Sequence, residues 1–135
     1  MLPGGMGEPS GQPFRILLVE DEPVIRELVR NMLSDGDVQV ECAANGVEGL
    51  KLARSQDFDL ILLDVVLPQM DGITVCRLLK ADARTATVPL HMLTAKARKA
   101  DVDAATRAGA NGYIYKPFRG AELMDLVESL RKARG

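Results

Sequence analysis

The chain has 135 residues, 47% hydrophobic and 27% charged, enough to close one core of ordinary size and too few for a second sizeable domain. With 17 Lys and Arg against 19 Asp and Glu, a formal charge of -2, 4% aromatics and no Trp, it lacks the electrostatic footprint for nucleic acid or acidic membrane and a stacking platform for bases or sugars. Its apolar runs of about four residues fall far short of the roughly 20 that a membrane helix needs, so a soluble protein is expected.

Residues 1–13 carry four Gly and three Pro, with no Lys or Arg and no apolar stretch. They fail as a secretory signal and are expected as a flexible tail ahead of one domain over 14–135. From Arg15 onward, short apolar runs alternate five times with amphipathic segments. Strands are expected at 16–19, 38–42, 60–63, 90–93 and 113–115, each bounded by acidic, Pro or Gly residues.

The first helix is expected from Pro23, whose missing N–H is harmless in a first turn. It would put Val24, Ile25, Leu28, Val29, Met32 and Leu33 on one face and end at Ser34-Asp35-Gly36. A second is expected at 47–54 after Asn45-Gly46, and a third at 73–81 after Asp71-Gly72, with Cys76 and Leu79 inward. The fourth, 101–108, offers only Val102, Ala104, Ala105 and Ala108 as anchors, so it buries little at about 25 cal/mol per Å² and should be the easiest to move. The last, 121–134, spaces Leu123, Val127 and Leu130 helically. Cys42 and Cys76 lie in apolar runs without metal or disulfide spacing and are expected as buried thiols of a reducing, cytoplasmic compartment.

Leu60-Ile61-Leu62-Leu63 is apolar throughout and belongs inside a sheet, whereas Val38-Gln39-Val40-Glu41-Cys42 alternates and belongs at an edge or a half-solvated position. Helical crossovers of this length join parallel strands. The fold class expected is α/β, a doubly wound, flavodoxin-like sheet of five parallel strands in the order 2-1-3-4-5, with its switch point between strands one and three. Ligands bind there, outside the carboxyl ends.

Strand one ends in Glu20-Asp21-Glu22 and strand three in Asp64. Carboxylates gathered at one edge repel and hold protons unless a cation neutralises them, and oxygen-only ligands select a hard ion such as Mg²⁺. Strand four ends at Thr94 and strand five at Lys116, adding a hydroxyl and an ammonium. The set describes phosphoryl transfer: Asp64 attacks phosphorus, Asp21 and Asp64 hold Mg²⁺ with Glu20 through water, and Lys116 and Thr94 take the remaining phosphoryl oxygens. Glu22 is read as a solvated side chain, and His91, within an apolar strand, as a structural histidine. Lys96, Arg98 and Lys99 are read as a solvated helix approach.

From Phe14 to Arg134 the chain resembles the receiver domain of bacterial response regulators. The motifs are Ile16-Leu17-Leu18-Val19-Glu20-Asp21-Glu22, Leu62-Leu63-Asp64-Val65-Val66-Leu67-Pro68 with Asp71-Gly72, Leu93-Thr94-Ala95, Gly109-Ala110, and Gly112-Tyr113-Ile114-Tyr115-Lys116-Pro117-Phe118. The resemblance implies Asp64 as phosphoacceptor, Glu20 and Asp21 as the acidic metal pair, and the Val66 backbone carbonyl as a further metal ligand. It implies Thr94 and Tyr113 as a switch pair, with Tyr113 turning inward as Thr94 moves toward the phosphoryl group, and a cis Lys116-Pro117 bond.

The partners implied are a sensor histidine kinase or phosphotransfer protein and a downstream target protein, with no direct nucleic-acid or membrane binding. The protein would catalyse only its own phosphorylation and dephosphorylation. The family often has a polar residue two positions after the acceptor; Val66 stands there and implies slow self-dephosphorylation. A phosphorylation-dependent dimer is a further implied association, although Asn111-Gly112 replaces the acidic pair that precedes the switch aromatic in transcriptional members.

Three rivals share parts of this pattern. A dehalogenase-type phosphohydrolase wants a second aspartate two residues after the first, where Val66 stands. A flavin carrier needs a hydroxyl- and glycine-rich loop after strand one, and Glu20-Asp21-Glu22 would repel its phosphate. A receiver-shaped scaffold that is never phosphorylated needs none of Asp64, Thr94 and Lys116. No output domain follows the last helix in this sequence, so output is expected through a separate partner, or the chain is the receiver fragment of a longer regulator or hybrid kinase.

Overall fold

The apolar runs become strands and the amphipathic segments helices, in strict alternation. In chain order they are β1 (Phe14–Val19), α1 (Pro23–Leu33), β2 (Val38–Ala43), α2 (Gly46–Ser55), β3 (Leu60–Asp64), α3 (Gly72–Ala81), β4 (Leu90–Thr94), α4 (Lys99–Ala108), β5 (Gly112–Tyr115) and α5 (Gly120–Arg134). The structure, a computed structural model, describes residues 12–33, 36–95 and 99–134. Most of the expected tail, the helix stop at Ser34-Asp35, Lys96 and Arg98 lie outside the described residues.

The sheet order is β2-β1-β3-β4-β5, all parallel, as expected. Every residue of β3 is buried, whereas β2 alternates half-buried and exposed positions at the edge until Ala43 closes it. Its place at the edge leaves Cys42 only half-buried, correcting the expectation of a buried thiol; Cys76, on α3 against the sheet, is fully buried.

Alternate strand side chains feed two cores. Leu17, Val19, Ile61, Leu63, Leu90 and Met92 pack under α2, α3 and α4, and Ile16, Leu18, Leu60, Leu62, Leu93 and Ile114 pack under α1 and α5. Helix α4 contributes only Ala105 and Ala108 as buried residues.

Two further details are set by backbone and helix geometry. Strands β3 and β4 run one residue further than their apolar runs: Asp64 pairs with Leu93 and Thr94 with Tyr115, because the ladder is held by backbone groups and continues under a polar side chain. On α1, Val29 and Leu33 are buried and Ile25 and Met32 half-buried, but Val24 is 77% exposed and Leu28 40%. At about 100° per residue the six apolar positions span roughly 180°, wider than the stripe one sheet and one neighbouring helix can cover, and the edge carrying Val24 and Leu28 is left in water.

Local signals set the loops above the sheet. Asn45 and Asp71 cap α2 and α3 by accepting from the backbone N–H groups of Glu48 and Thr74. Gly72 is required where it stands: a Cβ there would lie 2.0 Å from the Asp64 carbonyl oxygen, so only glycine lets α3 begin against the end of β3. Its N–H donates to the Val65 carbonyl at 2.9 Å, closing the 65–71 loop where β3 ends.

Candidate phosphoryl-transfer site

The register sets the strand ends level. Val19 pairs with Ala43 on one side and Leu63 on the other, so Glu20 and Asp64 emerge on adjacent strands at the same height. Glu20 is fully buried and Asp64 nearly so. Asp21 is exposed, and ligand oxygens of Glu20, Asp21 and Asp64 lie within 4.8 Å of one another.

Lys116 closes this group from the far side. Its backbone N–H donates to the Thr94 carbonyl at 2.7 Å, extending the β4–β5 ladder by one bond, and its Nζ donates to Glu20 Oε1 and Asp64 Oδ2, both at 2.9 Å. The Lys116-Pro117 bond is cis. The second oxygens are also held: Asp64 Oδ1 accepts from the Val66 N–H at 3.0 Å, and Glu20 Oε2 from the Glu22 N–H at 3.2 Å. Thr94 is buried at the end of β4, and the Val66 side chain is 70% exposed.

The electrostatics follow from two buried carboxylates facing one ammonium. Burial drives the Glu20 carboxyl up to about 7, with the Lys116 hydrogen bond opposing and the charge of Asp64 adding to the rise. Burial works against the Lys116 ammonium, but its bonds to Glu20 and Asp64 outweigh it and hold the group above its ordinary value. An oxygen-only donor set of three carboxylates fits a hard divalent cation such as Mg²⁺.

Tyr113 lies apart from this group. It is half-buried under α4, its hydroxyl donating to the Val102 carbonyl at 3.1 Å and touching the Thr106 hydroxyl, which itself donates to Val102. Glu20, Asp21, Asp64 and Lys116 are thus brought into one constellation with Thr94 at its rim, while Tyr113 faces the helix beside it. His91 is half-buried, its ring lying over Gly112, and burial with the nearby Lys80 charge holds its pKa below the ordinary value.

Two contacts had no counterpart in the sequence reading. Arg26 Nη1 donates to the Glu20 carbonyl at 2.8 Å, and Thr106 meets Tyr113. Both depend on side chains reaching between elements, and spacing carries no signal for that. Lys99, from the basic run, pairs with Asp103 one turn on, an exposed contact of small energetic weight.

The profile of the family described as response regulator receiver domain matches residues 16–128. Among curated proteins, a DNA-binding dual master transcriptional regulator, RpaA of Synechocystis, is 40% identical over 116 residues, covering 86% of this chain and 48% of that protein. The DNA-binding response regulator MtrA of Mycolicibacterium smegmatis is 39% identical over 115 residues, 85% of this chain and 49% of its own. The chain therefore spans about half the length of these relatives.

Among solved structures, the receiver domain of a sensor histidine kinase of Pseudomonas aeruginosa superposes with a TM-score of 0.81 at 36% identity, covering 87% of this chain and 97% of the other. It has a magnesium ion coordinated in its active site cleft. Chemotaxis protein CheY4 of Vibrio cholerae superposes with a TM-score of 0.82 at 30% identity, covering 87% and 98%.

Proposed function

The chain belongs to the response regulator receiver domain family, and from that premise we propose that it accepts a phosphoryl group on Asp64 from the phosphohistidine of a sensor kinase or phosphotransfer protein. A carboxylate oxygen of Asp64 attacks phosphorus, the P–O bond forms as the P–N bond breaks, and the imidazole departs with the bonding pair. The protein turns over no external substrate beyond its own modification, and works in the cytoplasm, where kinase and target meet it.

The observation that carries this reading is the state of Asp64: buried at the end of a central strand, one oxygen on Lys116 and the other on the Val66 amide, with two more carboxylates beside it. Glu20, Asp21 and Asp64, with the Val66 carbonyl, would hold Mg²⁺, which when bound offsets charge on the phosphoryl oxygens. Lys116 orients the acceptor before reaction and offers the same ammonium to a phosphoryl oxygen afterwards. Thr94, at the same rim, supplies a hydroxyl donor. A scaffold role leaves Lys116 and Thr94 without a task, and a dehalogenase-type hydrolase would want an aspartate where Val66 stands.

Output goes to a target protein through α4 and β5, with Tyr113 as the aromatic that changes its contact with α4. Relatives of which this chain covers about half are DNA-binding regulators; in this chain the charge of -2 supports output by protein contact rather than by direct hold on DNA.

Incubation with acetyl phosphate and Mg²⁺ should give a hydroxylamine-labile phosphoryl group in the wild type and none in Asp64→Asn. Equal labelling of both would place the acceptor elsewhere.

A further inference from the structure

The two buried carboxylates of the site are each held by two hydrogen bonds, but the third is not. Asp21 is exposed and no described residue donates to its carboxylate, so its place beside Glu20 and Asp64 is set by the backbone of the turn that carries it. That turn is fixed at Glu20, whose N–H donates to the Ala43 carbonyl at 3.0 Å and whose carbonyl accepts Arg26 Nη1 at 2.8 Å. The first bond continues the β1–β2 ladder. The second comes from the side chain of a half-buried arginine on the first turns of α1, whose own N–H donates to the Glu22 carbonyl at 3.1 Å.

We propose that Arg26 is a positioning residue for the cation site: by holding the Glu20 carbonyl, its guanidinium fixes the peptide plane between Glu20 and Asp21 and so keeps the Asp21 carboxylate within reach of the other two. The inference rests on the reading of the acidic group as a Mg²⁺ site. A peptide plane held at its oxygen by a charge-assisted bond cannot turn without losing that bond, and turning it would swing Asp21 away from its neighbours. The planar guanidinium is suited to the task because it carries several donors in a fixed fork, where an ammonium offers a point charge on a mobile stem.

Charge and geometry predict opposite signs here, which makes the test decisive. A cation near a Mg²⁺ site weakens the ion's binding by repulsion, so if Arg26 acted through charge alone, Arg26→Ala would tighten it. Acting through the turn, Arg26→Ala should weaken it by roughly tenfold, the range seen when partners that orient metal ligands are removed. Titration of the whole chain with Mg²⁺ alone, followed by calorimetry, reads the effect directly. Arg26→Lys, which keeps the fold's charge and one donor, should fall between wild type and Ala.

In an Asp21→Asn background, Arg26→Ala should cost little further affinity, because the ligand it positions has been removed. Wild-type or tighter Mg²⁺ binding in Arg26→Ala, or a full additional loss in the double variant, would overturn the assignment. Absence of saturable Mg²⁺ uptake by the wild type would instead overturn the reading of the cluster, and this inference with it.

Discussion

The centre of the sheet and its β5 edge differ in how firmly they are held. In the centre, β1 and β3 bury almost every side chain and deliver Glu20 and Asp64 into a network in which each of their carboxylate oxygens has a partner. At the edge, α4 is anchored by two buried alanines, and the polar tie to it from β5 is the Tyr113 hydroxyl on Val102 and Thr106. Phosphoryl chemistry needs atoms fixed to fractions of an ångström. A response needs an element whose alternative positions differ by little free energy. The sequence separates the two requirements by composition: aliphatic strands below the acids, alanines and hydroxyls at the weakly anchored helix.

The largest test of this contrast is by truncation. Leu62→Ala removes a fully buried side chain from the central strand and should cost about 2–5 kcal/mol in urea unfolding, whereas Val102→Ala on half-buried α4 should cost less than about 1.5 kcal/mol. Equal costs would erase the distinction between centre and edge.

A second test exploits the charge in the centre. Glu20 is raised from 4.5 to about 7 in the folded protein, so the folded state binds the extra proton and the group's contribution to stability is full below about pH 4.5 and lost as pH rises through about 7. Metal-free wild type should therefore lose stability relative to Glu20→Gln between those values. His91, whose pKa is lowered, contributes the opposite slope, present at neutral pH and lost on acidification, but it does so in both proteins and cancels in the comparison. Parallel pH profiles would mean that Glu20 is not held protonated by its surroundings. The same shift predicts that Mg²⁺ uptake at pH 6 releases protons and is weaker than at pH 8.

The smallest effect on stability should come at the mouth of the site. Val66→Asn changes a 70% exposed side chain and should alter unfolding by no more than about 0.5 kcal/mol, yet it places a polar group where water must approach the phosphorylated acceptor. Decay of the phosphorylated form should quicken. Unchanged decay would show that the side chain at position 66 does not govern the approach of water.

How far these features could be read from the chain differs between the same two regions. The central strands were legible because Leu60-Ile61-Leu62-Leu63 is apolar at every position, and the acidic constellation because its members terminate strands that the fold places side by side. The small buried face of α4 was legible too, since a helix offering one valine and three alanines cannot bury much. What escaped the reading depends on reach and breadth rather than period. Val24 and Leu28 carry the right spacing but lie at the outer margin of an apolar arc too wide to cover. The bond from Arg26 to the Glu20 carbonyl and the contact of Thr106 with Tyr113 join side chains to groups on other elements, where only coordinates bring them together.

Coupling of a fixed acidic centre to a weakly held edge is tested most directly by amide hydrogen exchange before and after phosphorylation by acetyl phosphate with Mg²⁺. Protection should change across α4 and β5, at Lys99–Ala108 and Gly112–Tyr115, while Leu60–Asp64 stays as slow as before. A change spread evenly over the sheet, or one confined to the loops around Asp64 with α4 untouched, would contradict it.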